Sequence, residues 1–160
     1  MKPAPIILLL CLLLVFIQDW KFRKIHFVLP LVIFIISFLL IPIQKYELAE
    51  IVCYNTVFFL ITLGFLTLYM SLKSKQFLNP FLHYFGLGDL LFYIAISPLF
   101  LLKKYILFFI LSLVFAIIMQ FGLKKIIKEN TVPLAGFSAL FLFIVLMKDY
   151  FLTFQKLTLF

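Results

Sequence analysis

The sequence lacks most of what a water-soluble domain needs. Charged residues make up 12% of its 160 positions, and only six are carboxylates. An ordinary soluble domain carries about twice that share of charge, roughly 25%. No stretch is both long and polar enough to fold in water. A single membrane-embedded domain over residues 1–160 is what remains. Glycine is scarce at five residues while phenylalanine reaches twenty-three, and the apolar runs are continuous rather than alternating. That pattern excludes a water-filled β-barrel and indicates helices. The two cysteines, Cys11 and Cys53, both stand in apolar segments. A disulfide framework and the paired-cysteine spacing of structural zinc are excluded, and two buried free thiols are expected. No metal or organic cofactor is indicated. The net charge of +8 sits in short loops between apolar runs, where positive charge orients a membrane protein, so nucleic acid is not the indicated partner.

What is present reads as an all-α, polytopic membrane protein with six transmembrane helices. Met1-Lys2 ahead of Ile6 to Ile17 resembles a signal peptide, but the positive end is one lysine and no small-residue cleavage site follows. The segment is therefore expected to be retained as the first span, about Pro5 to Asp19, with Trp20 as an interfacial anchor. Span two is expected over about His26 to Ile43 and span three over about Leu48 to Leu72. Asn79-Pro80 breaks the pattern, and Phe81 to Phe85 suits the membrane surface. Span four is expected from Gly86 to about Leu102 with a kink at Pro98, span five over about Tyr105 to Leu123, and span six over about Pro133 to Phe154.

Loops one, three and five hold Lys21, Arg23, Lys24, Lys73, Lys75, Lys124, Lys125 and Lys128, eight cations, against six on the other side (Lys2, Lys45, Lys103, Lys104, Lys148, Lys156). The bias makes loops one, three and five cytoplasmic. Asp19 then leaves span one, and Asp89 enters span four, at the same membrane face. An ionisable residue at the edge of an apolar segment is costly unless it has a partner or a task. Two facing carboxylates in a low-dielectric site share a proton and titrate as a pair. The ionised member takes a proton from water while the protonated one polarises a carbonyl, which is aspartic-protease chemistry. Alternatively, each aspartate merely ends a helix at the interface. In Gly86-Leu87-Gly88-Asp89 the glycines let backbone approach closely beside the carboxylate.

Three patches resemble the type IV prepilin peptidases, intramembrane aspartyl proteases with a Gly-x-Gly-Asp motif. Asp19, Arg23 and Ile25 stand at the spacing of that family's first aspartate motif, and Gly86-Leu87-Gly88-Asp89 matches its second. Val132-Pro133-Leu134-Ala135-Gly136-Phe137 is similar to the Ile-Pro-Phe-Gly-Pro-Phe that opens its last span. The resemblance implies catalytic Asp19 and Asp89, supported by Gly86, Gly88, Arg23 and Ile25. It also implies a pilin-like precursor as substrate, cut at the cytoplasmic face of the inner membrane without a cofactor. His26-Phe27 replaces the family's Pro-Asn, Leu91 its frequent lysine, and Gly136 its usual proline. The cysteine-paired segment of larger members has no counterpart, so their methylation of the product is not carried over. An inactive relative serving as an assembly factor, and a small proton-coupled transporter, are the other readings. Lys21, Arg23 and Lys24 suit lipid head groups or a plain topology signal. His26 and His83 are expected as interfacial residues, and Gly64 and Gly122 as easing helix packing.

Overall fold

The computed structural model describes residues 3–41, 45–74, 86–123 and 132–152. Among them are six α-helices and no strand: α1 (Pro3–Phe22), α2 (Val28–Leu40), α3 (Lys45–Ser74), α4 (Leu87–Ile96), α5 (Leu102–Gly122) and α6 (Leu134–Leu152). Three stretches are long and apolar enough to cross a membrane, namely Ala4–Phe22, Glu47–Ser74 and Leu102–Gly122. Val28–Leu40, Leu87–Leu99 and Leu134–Lys148 are shorter apolar helices. The thirteen residues of α2 span only ~20 Å, against a hydrocarbon core of ~30 Å.

Helix α1 packs most extensively on α6, with α2 beside α1, α4 beside α2, and α5 against α6. Between them lies a core of Leu8, Leu12, Val15, Ile33, Phe92, Ile96 and Leu142. Aromatic rings fill the space where α3, α4 and α5 meet. Phe59, Tyr93 and Phe109 have centroids 5.1 Å (Phe59–Tyr93), 5.1 Å (Tyr93–Phe109) and 5.9 Å (Phe59–Phe109) apart. The phenylalanines thus divide between this core and outward faces, with Phe22, Phe65 and Phe121 exposed.

Pro98 does more than kink the fourth segment. Having no N–H, it cannot continue the α-helical ladder, and the chain tightens into a 3-10 turn over Ser97–Leu99. The N–H of Ser97 turns to Ile94 O, which deprives Tyr93 O of its usual helical partner. The Tyr105 hydroxyl donates to that carbonyl instead, at 3.0 Å. Beyond the turn, the fully buried Asn55 of α3 donates from Nδ2 to Ser97 O at 2.8 Å and to Phe100 O at 2.7 Å. In an apolar surround each such carbonyl must find a donor. Asn55→Leu strands both carbonyls and should destabilise the protein by about 1–2 kcal/mol, read as an earlier unfolding transition in detergent.

Several expectations change. Cys11 is buried, but Cys53 is exposed, because α3 packs loosely and turns much of its circumference outward. Gly64 and Gly122 ease no packing here: a Cβ built on either meets nothing within 4 Å. Helix α2 begins at Val28, which leaves His26 and Phe27 in the turn before it. His83 and the loop readings over 75–85 and 124–131 lie outside the described residues.

Candidate active site

Helix α1 does not stop at Asp19; it runs one turn further, to Phe22. It ends where Arg23 adopts a left-handed backbone with φ 53° and returns its N–H to Asp19 O at 3.1 Å. Glycine is the usual residue at such a helix end, and an arginine there costs about 1–2 kcal/mol of backbone strain. The strain leaves the guanidinium electrostatically coupled to the Asp19 carboxylate. Gln18 Oε1 accepts the His26 N–H at 3.0 Å, which closes the turn over the same ground. His26 itself is exposed.

The second carboxylate belongs to the first turn of α4. Gly86 is the residue before the helix, extended at φ −70° and ψ 148°. Its N–H donates to Asp89 Oδ2 at 3.1 Å, the reciprocal hold of a carboxylate three positions into a helix. Gly88 serves differently. A Cβ there would stand 3.0 Å from Ile25 Cδ1, so the missing side chain is the seat of Ile25 and joins the two aspartate motifs.

Helix α6 brings the carboxylates together. The first N–H groups of a helix have no partner within it, and here all can be traced. Pro133 has none. Leu134 donates to Val132 O at 2.9 Å, and Phe137 donates to Pro133 O at 3.0 Å. The two between go to the aspartates. Ala135 N–H donates to Asp89 Oδ1 at 2.7 Å, and Gly136 N–H donates to Asp19 Oδ2 at 2.6 Å. Residues 19 and 89, seventy apart in sequence, are thus held on adjacent amides of one helix end. The carboxylates are near enough to interact electrostatically. The positive ends of the α4 and α6 dipoles both face them and favour negative charge there. Asp19 is only 7% exposed, whereas Asp89 is half-buried. Trp20 lies edge-on to Phe137, with centroids 5.7 Å apart, so it ties α1 to this same turn of α6 as well as ending the apolar run.

Two carboxylates, one sheltered and one more open, are thus held side by side by two first-turn amides of one helix. The type IV leader peptidase family matches the sequence over residues 6–121, a stretch that contains both aspartates. The chain belongs to the type IV leader peptidase family. Comparison with curated proteins and with solved structures gave no match. The family match ends before residue 132, yet the α6 amides that hold both carboxylates come from beyond it. Those amides were missed in the sequence, where a backbone donor has no signature of its own. The available signal was the Val132-Pro133-Leu134-Ala135-Gly136-Phe137 patch itself, which places Ala135 and Gly136 just inside the start of a helix. Among the described residues no three His, Cys, Asp or Glu side chains come together, and the donors around the aspartates are N–H groups suited to an anion.

Proposed function

We propose that this membrane leader peptidase is an aspartic endopeptidase in which Asp19 and Asp89 activate water between them. It removes the leader of pilin-like precursors at the cytoplasmic face of the inner membrane. The observation that supports the reading most is the pair of neighbouring amides, Ala135 and Gly136, each spent on a different aspartate. A proton relay needs its acidic groups within reach of a pathway, not side by side on one helix end. An assembly factor needs neither of them. In the proposed reaction the ionised carboxylate takes a proton from water as it attacks the scissile carbonyl. The protonated one donates a hydrogen bond to the carbonyl oxygen, and the proton then passes to the leaving amine. The precursor's apolar helix lies in the bilayer with its leader on the side of the dyad.

The direct test is co-expression with a pilin-like precursor, scored by the mobility shift of the processed product. Absence of a shift with every such precursor tried, at normal abundance of the protein, would favour the assembly-factor reading. Membrane sidedness is a separate prediction, resting on the loop charges. Cysteines placed at Ser74 and Asn130, in a background without Cys11 and Cys53, should react with an impermeant thiol reagent only from the cytoplasmic side. Labelling from outside would part the dyad from a cytoplasmic leader.

A further inference from the structure

Tyr93 lies on α4, four residues after Asp89, and is completely buried. Its hydroxyl is 2.8 Å from Ser112 Oγ on α5 and 2.8 Å from Ser138 Oγ on α6, and both serines are also fully buried. The direction of each bond follows by elimination. Ser112 gives its hydrogen to Phe109 O at 2.8 Å, so it accepts from Tyr93. Tyr93 has one hydrogen to give, so it accepts from Ser138. The chain runs from Ser138 through Tyr93 and Ser112 to Phe109 O, with every hydroxyl hydrogen used.

Helix α4 therefore holds the start of α6 at two points. Asp89 takes the Ala135 N–H, and Tyr93 takes the Ser138 hydroxyl. Residues 89 and 93 share one face of α4, and 135 and 138 share one face of α6, by the helical repeat. A single contact leaves α6 free to turn about it, whereas two contacts set both its rotation and its depth. Gly136 lies between the two points, and its N–H is the one that reaches across to Asp19 on α1. We propose that Tyr93 is a positioning residue for the dyad: by holding Ser138 it aims the Gly136 amide at Asp19 and so fixes the spacing of the two carboxylates. The kinetic consequence rests on the proteolytic reading of the site; the geometric one does not.

Tyr93→Phe is the test. The ring contacts with Phe59 and Phe109 survive it, Ser112 keeps Phe109 O, and Ser138 can turn to the carbonyl one turn back in its own helix. No hydroxyl is stranded. Nitrogen-15 glycine labelling in detergent gives five amide signals, and the Gly136 signal is the one lost in Gly136→Ala. In Tyr93→Phe that signal should move upfield, and its hydrogen exchange should speed up by about tenfold, the worth of one hydrogen bond. In the cleavage assay kcat should fall by about tenfold with KM unchanged, since chemistry suffers from misplacement and leader binding does not. Ser138→Ala should reproduce both changes, and the double variant should be no worse than either single one. If Tyr93→Phe does not fold, Ser138→Ala carries the test. A Gly136 signal and exchange rate identical to wild type in the folded variant overturn the proposal whatever the kinetics. An unchanged kcat in a cleaving enzyme overturns it too. If the wild-type protein cleaves no precursor, the proteolytic reading fails, while the Gly136 signal still decides whether Tyr93 positions the pair.

Discussion

Asp19→Asn and Asp89→Asn are each expected to abolish leader cleavage, lowering the rate by at least ~10³-fold, because members of a catalytic unit fail together. A carboxamide keeps the shape of the side chain but neither takes a proton from water nor shares one with its neighbour. The two variants should nevertheless differ in stability. Asp19 accepts the Gly136 N–H through one oxygen, and an asparagine oxygen can take its place. Asp89 accepts the Ala135 N–H through one oxygen and the Gly86 N–H through the other. An asparagine must turn its own NH2 towards one of these donors. Gly86 is exposed, so water can take over that donor, and the loss should stay near ~1 kcal/mol. Asp19→Asn should therefore be inactive with its hydrogen bond kept, giving up the attraction of Arg23, while Asp89→Asn should be inactive and lose a hydrogen bond. The double variant should cleave no less than either single one. Asp149→Asn, in the last turns of α6 and remote from the helix end that holds the dyad, is the control and should cleave normally. Either single variant, present at normal abundance and cleaving at a rate comparable to wild type, would remove the dyad from the mechanism.

The two aspartates were legible in the sequence because both stand at the edges of apolar runs on one expected membrane face, Asp89 directly after Gly86-Leu87-Gly88. Their partners in the motifs were partly legible. Gly88 and Ile25 were singled out from separate patches, and the structure puts one against the other. The break at Pro98 was legible for the same reason, since proline acts on the backbone directly. Burial on α3 was not. A helix that is apolar all round carries no stripe to say which side faces protein and which faces lipid, so Cys53 looked as buried as Cys11. Tyr93, Ser112 and Ser138 were hidden differently. Each is a weakly polar residue inside an apolar run, and what matters is that three helices bring both serine hydroxyls to 2.8 Å from the Tyr93 hydroxyl. A pattern read along one chain segment has no access to that meeting.

Gly136→Ala should be the most damaging of the glycine substitutions, and the reason is what its methyl group would strike. A Cβ built on Gly136 stands 3.0 Å from Asp19 Cβ, 3.0 Å from Asp19 Oδ2 and 3.4 Å from Asp19 Cγ. The nearest of these is the root of a side chain on the well-packed helix α1, and cannot swing aside. The start of α6 must instead back away from α1, stretching the 2.6 Å bond from the Gly136 N–H to Asp19. A shift of a few tenths of an ångström at the two carboxylates should lower kcat by up to about tenfold. At Gly88 the obstacles are Ile25 Cδ1 at 3.0 Å and Cγ1 at 3.3 Å, with Cβ at an ordinary 3.4 Å, and the two close atoms move with a side-chain rotation. Gly88→Ala should therefore cost only a few-fold in rate, as Ile25 changes rotamer at about 1 kcal/mol. Gly64→Ala meets nothing within 4 Å. In a helix interior alanine replaces glycine with a gain of roughly 0.5–1 kcal/mol, so this variant should cleave normally and unfold later. The order of cleavage rates in matched detergent or membrane preparations is then Gly64→Ala, Gly88→Ala, Gly136→Ala, from fastest to slowest. Proline at position 136 would have no N–H to give Asp19. Gly136→Pro should accordingly fall at least as far as Gly136→Ala. If folded Gly136→Ala cleaves at the wild-type rate, the close approach of α6 to Asp19 has no part in setting the dyad.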